Sequence, residues 1–170
     1  MAAKSFLRLV AGKLKAIQAV VTSAGAGNDG DIVALDAAGR LDPSVLPIGV
    51  GPDVTNLASF ENLTSGDYVN IFDDAGTVKA RKADNSNSRP AHGYIKDTVV
   101  APATVNVFYE GANPNLAGLT KGVRIYLGIT GGIIETPLIP ITDVGKTHQF
   151  LGIAISATEV NTDISDCIQL

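Results

Sequence analysis

Apolar and polar positions alternate over short stretches through most of this chain, and each stretch ends in turn residues. Residues 68–72 and 77–83 are two such runs joined by Asp73-Asp74-Ala75-Gly76, which predicts a hairpin with Asp opening the turn and Gly76 closing it. Further strands are predicted over residues 92–95, 99–100, 104–109, 123–128, 133–135 and 149–156. In residues 104–109, Val105 and Val107 share one face, and the alternation blurs at Phe108 and Tyr109. Gly131-Gly132 reads as the turn between strands 126–129 and 133–135. Short strands spaced this closely close most simply into a small barrel or sandwich, which leaves few exposed edges.

The first 50 residues have a different pattern. Phe6, Val10, Leu14, Ile17 and Val21 recur at three- and four-residue spacing, as on one face of an amphipathic helix. Gly12 in the middle and the β-branched Val20-Val21-Thr22 oppose a helix, so two strands, 6–10 and 14–22, reversing near Gly12, are the competing solution. Residues 23–30, SAGAGNDG, read as a loop or hinge. Ile32, Val33 and Leu35 predict a short strand, and Asp36-Ala-Ala-Gly39 has the composition of a type I turn. Asp42 suits a helix N-cap, Pro43 the first helical position, and Pro47 permits little more than one turn. Residues 48–53, IGVGPD, mark a boundary between an arm, 1–50, and a body, 51–170.

Asp36, Gly39, Arg40, Leu41, Asp42, Pro43, Ser44, Leu46 and Pro47 fill a D-x-x-G-[RK]-[LI]-D-P-S-[VFL]-[LM]-P pattern that resembles a segment near the N-termini of tailed-bacteriophage virion proteins. The words VVTSAGAGNDGDIVALD before it, and GDYVNIF, VKARKAD, AHGYI, VFYEGAN, LTKG, RIYLG and FLGIAISATEV after it, extend the resemblance over nearly the whole chain. In this order they look like a head decoration, or capsid cement, protein. Two departures touch local turns: AGK at residues 11–13 stands in place of a tighter Asn-Gly turn, and DNSNSRP replaces a shorter loop. The resemblance implies two strands in the arm, a mainly β fold with a small β-barrel or β-sandwich body, and assembly as a homo-oligomer, a trimer by preference. It also implies a place on the outer surface of a phage capsid, with the major capsid protein as partner, for a protein made in the host cytoplasm. The rival reading is a tail-fibre or baseplate attachment component, against which 170 residues leave no long shaft.

Composition narrows the remaining classes. A hydrophobic content of 45% with 18% charged residues excludes a disordered chain. Eighteen glycines and eight prolines without a period suit many strands and turns and exclude a collagen-like repeat. The single cysteine cannot form an intramolecular disulfide, and two histidines with it are too few for an ordinary structural zinc site. No apolar run approaches the roughly 20 residues that cross a bilayer, and Arg8, Lys13 and Lys15 interrupt what would be a signal-peptide apolar region, so the N-terminus is read as mature protein and no membrane partner is expected.

Charge is uneven. Lys4, Arg8, Lys13 and Lys15 precede the first acid, Asp29, so residues 1–28 carry +4 and leave −8 on the rest of a chain whose net charge is −4. A basic arm on an acidic body docks on an oppositely charged surface, or merely stays solvated. Four cations without interleaved aromatics or clustered arginines make a poor nucleic-acid stripe, so an acidic protein surface is the expected partner. The interface candidates in the arm are Phe6, Leu7, Arg8, Leu9, Lys13, Leu14, Lys15 and Ile17. In the body, Lys79 and Arg81 share a strand face with Lys82 on the other, to meet an acidic patch on a capsid subunit or neighbouring copy, or simply to protect a strand edge by charge.

No catalytic constellation is predicted. SAGAGNDG lacks a following Lys-Ser/Thr and a helix, so a nucleotide site there is not expected. Asp73-Asp74 and the trio Asp29, Asp31 and Asp36 lack the alternating spacing of a calcium loop and read as turn residues. His92, His148 and Ser156 lack a nucleophile elbow; a small hydrolase is retained only as a third class. No active site, metal or cofactor is assigned.

Overall fold

The computed structural model describes residues 5–46 and 53–170, and the chain divides into two compact units, Met1–Gly51 and Pro52–Leu170. Pro47 and residues 48–52 of the expected boundary lie outside the described residues. The fold is mainly β, as the alternation predicts.

In the N-terminal unit, β1 (Ser5–Val10) and β2 (Lys13–Gln18) form an antiparallel hairpin, so the two-strand solution prevails over the helix. Ala11 and Gly12 both have positive φ, 50° and 76°, as in the type I′ loops whose twist matches that of paired strands. The turn at AGK is therefore as tight as an Asn-Gly one. The second strand stops at Gln18 and not at Thr22, because Val20 turns away to bridge Val33 in parallel, donating to Ile32 O at 2.9 Å and accepting from Ala34 N at 2.7 Å. That bridge is all that forms of the strand expected at residues 32–35. The glycine-rich stretch is a short 3₁₀ helix, Gly25–Asn28, closed by Ala24 N donating to Asn28 Oδ1 at 2.6 Å.

The Asp-rich turns form as read. Asp36 Oδ1 accepts from Ala38 N and Arg40 N, both at 2.8 Å, while Gly39 N donates to Asp36 O. Asp42 Oδ1 caps the 3₁₀ turn Pro43–Val45 by accepting from Ser44 N at 2.9 Å and Ser44 Oγ at 2.6 Å. These bonds to Ser44 hold the Asp42 carboxyl below its usual range. Ser44 Oγ in turn accepts from Ser23 N at 2.8 Å, tying the loop of residues 23–30 to the turn.

In the body, β3 (Val54–Ser59), β4 (Tyr68–Asp74), β5 (Thr77–Lys82), β6 (Gly93–Ile95) and β7 (Thr104–Phe108) pair in a closed ring, order β3-β5-β4-β6-β7, in which β3–β5 is the one parallel pair. A second sheet combines β8 (Gly111–Asn113), β9 (Arg124–Leu127), β10 (Ile133–Ile134), β12 (Phe150–Ala154) and β13 (Val160–Thr162) in the order β10-β9-β12-β13-β8. Between β10 and β12 in sequence, β11 (Thr147–His148) pairs with the last strand, β14 (Ile168–Gln169).

Alternation sends these strands into two cores. Val69, Ala80, Ile95, Val105 and Val107, with Leu63, fill the ring, while Tyr68 and Tyr94 on its other face join Ile125, Leu127, Leu151 and Val160 of the second sheet. Phe108 packs against this second core and Tyr109 against the first, which is why the alternation blurs there. At Gly152, β12 bulges against β9 with φ 149°, and a Cβ would collide with the Asn161 carbonyl, so glycine is required.

Several expected boundaries shift. The turn at residues 73–76 is a two-residue loop, Ala75-Gly76, with φ of 53° and 88°, and β4 runs on through Asp74. The expected strand 99–100 reduces to a bridge between Val99 and Leu63. The strand expected to 135 ends at Ile134, the last residue paired with β9, and the Glu135 side chain accepts from Thr120 N at 2.6 Å. The turn before β10 centres on Thr130-Gly131, φ 50° and 80°, one residue earlier than read, and Gly132 N donates to Ile129 O. β3, β8, β11, β13 and β14 were not expected.

Candidate docking surfaces

The pairing of β1 with β2 sorts the arm candidates onto two faces. Leu7 lies opposite Ala16 and Leu9 opposite Leu14, so these four share one face; the leucines are 70%, 66% and 70% exposed. Phe6 opposite Ile17, Arg8 opposite Lys15 and Val10 opposite Lys13 make the other face. Phe6, Val10 and Ile17 are half-buried there, while the three cations are exposed. The helical spacing seen in sequence thus arises from alternation interrupted by a two-residue loop.

Both faces are energetically incomplete. Fully burying one leucine stabilises by about 1.5–3 kcal/mol, and three exposed on one side of a two-stranded sheet have no core to enter. Like charges directly opposite, as Arg8 and Lys15 are, destabilise a strand pair. Among the described residues none of Arg8, Lys13 and Lys15 forms an ion pair, and Arg8 Nη1 donates to Gly30 O at 3.4 Å. Apolar contact on one side and carboxylates on the other would complete the hairpin.

In the body, the outward positions of β4 and β5 bring together residues that sequence spacing separates. Arg81 lies opposite Asn70, and Lys79 opposite Phe72. Lys79 Nζ pairs with Asp74 Oδ2 at 2.7 Å and lies 5.9 Å from the Phe60 ring. Arg81 stacks over Phe72 at 3.9 Å and its Nε donates to Asn70 Oδ1 at 2.9 Å. Phe60 meets Phe72 edge-on at 5.2 Å and is 50% exposed. Burial, then the neighbouring charge of Arg89, push the Arg81 guanidinium below its ordinary value against the opposing pull of Glu61. Lys82 turns instead to Asp67 Oδ2 at 3.3 Å. Sequence reading found the shared face of Lys79 and Arg81; it missed Phe60 and Phe72, which are placed by the fold.

The residues weighed for chemistry are occupied in separate local contacts. His92 Nδ1 accepts from Ile71 N at 2.9 Å, and burial keeps its pKa below the ordinary value. His148 stacks on Tyr126 at 5.0 Å, and Ser156 Oγ accepts from Thr158 N at 3.1 Å. Asp31 accepts from Asn28, Asp74 pairs with Lys79, and Asp73 stands opposite Val78 in the β4–β5 ladder. Among the described residues no group of three or more His, Cys, Asp and Glu is placed to hold a metal ion, and no helix is long and apolar enough to cross a membrane.

No protein-family model matches the sequence, and no curated protein matches it. Among solved structures, the chain is similar to the head fiber gp8.5 N base in bacteriophage phi29, at 14% identity and a TM-score of 0.46, over 66% of this chain and 92% of that one.

Proposed function

We propose that this protein is a non-enzymatic virion structural protein that attaches to the outer surface of a phage capsid and stabilises the shell. The β1–β2 hairpin carries this reading: one face uncharged and rich in exposed leucine, the other bearing three cations without ion-pair partners among the described residues. Such a strand pair suits insertion between neighbouring proteins, apolar on one side and acidic on the other. The resemblance of residues 36–47 to virion-protein segments supports the same role. Burying the still-exposed two-thirds of the three leucines contributes roughly 3–6 kcal/mol before association costs are subtracted. A protein that bridges subunits in this way adds interfaces that must break before the shell opens, and many copies act together.

Imaging of virions carrying a tagged full-length chain tests the location. Density distributed over the head shell is the expected result. Density confined to the tail or baseplate would overturn the capsid assignment in favour of a tail attachment component.

A further inference from the structure

The Arg81 side chain is held as a receptor for a carboxylate. Its plane rests on Phe72, its Nε is fixed by Asn70, and Asn70 is itself fixed by Nδ2 donating to Pro90 O at 2.8 Å. The Nε bond is the one hydrogen bond its guanidinium makes among the described residues, which leaves the terminal nitrogens free for two-pronged recognition of a carboxylate. Arg89, close enough to lower Arg81's pKa, makes no ion pair among the described residues. Lys79 and Glu61 flank the site, Lys79 neutralised by Asp74 and Glu61 bonded to Lys82 N. The exposed Phe60 ring supplies an apolar border. An arginine stacked on an aromatic ring and pre-oriented in this way loses little freedom when it binds, which is the composition of an interface anchor.

The complementary surface is on the same unit. Glu110, Asp163 and Asp166, all exposed, line one groove with Pro90, His92 and Gln149, and none of the three carboxylates forms an ion pair among the described residues. The groove continues past Glu110 and Asp163 toward Lys96, whose ammonium lies 4.4 Å from the Phe108 ring. Pro90 belongs to both surfaces: its carbonyl anchors Asn70 beneath Arg81, and it lines the groove. Pro90 thus links the support of Arg81 to the acidic groove.

We propose that the body binds a second copy of this chain, Arg81 of one copy entering the Glu110–Asp163–Asp166 groove of the other. Charge complementarity selects this occupant, since the body supplies both halves of the contact. A contact between two different patches of one chain closes into a ring where the rotation between copies returns to the start, and extends as a filament where it does not. The contact is independent of the hairpin, so it stands or falls apart from the capsid assignment.

Sedimentation equilibrium of the full-length chain tests it. Wild type should self-associate, more weakly as salt is raised. Arg81→Glu should raise the dissociation constant by at least about tenfold, since a close charge pair at an interface becomes a repulsion. The groove variant Glu110→Lys/Asp163→Lys changes only exposed side chains and should do the same. Combining the two on one chain should restore association. A monomeric wild type, an unchanged dissociation constant in both variants, or a charge-swapped chain no tighter than either parent would overturn the proposal. If association is unchanged while capsid binding falls, the occupant of the Arg81 site is a capsid carboxylate instead, and the second-copy contact is refuted.

Discussion

Tyr68 and Tyr94 stand opposite each other across the β4–β6 pair, both fully buried, with ring centroids 6.1 Å apart. They join the closed ring to the second sheet: Tyr68 Oη lies 3.3 Å from Thr162 Oγ1, and Tyr94 Oη lies 2.9 Å from Ala112 O and 3.1 Å from Glu110 O. Burial pushes both phenols up, Tyr94 to about 12.

The folded state therefore holds the Tyr94 proton more tightly than the unfolded chain, whose phenol ionises near 10. The stability this contributes is complete below pH 10 and declines as pH rises from there toward 12. Tyrosinate absorbance followed on wild type and Tyr94→Phe should differ by a phenol that ionises late. A Tyr94 that ionises near its ordinary value in the folded protein would contradict the buried geometry. Tyr94→Phe should also cost about 1–2 kcal/mol in denaturant unfolding, since it removes the donor for Ala112 and Glu110 carbonyls.

Gly152→Ala should destabilise the body by at least about 2 kcal/mol, because the added carbon meets the Asn161 carbonyl of the paired strand and no side-chain motion relieves it. Urea unfolding reads the difference. A change under a few tenths of a kcal/mol would mean that the β12 bulge can relax.

Ala75→Asn should stabilise by about 0.5–1 kcal/mol, since Ala75 sits at φ 53° in a two-residue loop where asparagine is at less cost than alanine. Thermal melting should show a higher midpoint with the same cooperativity. A lower midpoint would place the loop in another turn type.

Local chemistry was legible in the sequence and long-range pairing was not. The turns at Asp36 and Asp42 depend on residues within four positions, and they form as read. Phe108 and Tyr109 defeated a single-face reading because two cores compete for one strand. β3 was missed because Val54, Thr55 and Asn56 are exposed and its partners lie on β5 and β7, and β8 and β13 are three-residue strands recognised by their ladder alone. In the arm, the two-face arrangement depends on register, which the Ala11-Gly12 loop sets. Nothing near Lys79 in sequence points to Phe60, nineteen residues earlier, as part of its surface.

The hairpin is the centre of the functional account, and its apolar face separates that account from simple charge attraction. The full-length variant Leu7→Ser/Leu9→Ser/Leu14→Ser keeps every cation and alters only exposed positions. Its occupancy on purified capsids, read by co-sedimentation at low and high salt beside wild type, is the most direct measurement. Attachment through the hairpin predicts that the variant loses binding by at least about tenfold at either salt, while salt alone weakens wild type less, because screening touches only exposed charge. Normal occupancy of the variant would contradict the account and move the attachment surface to the body.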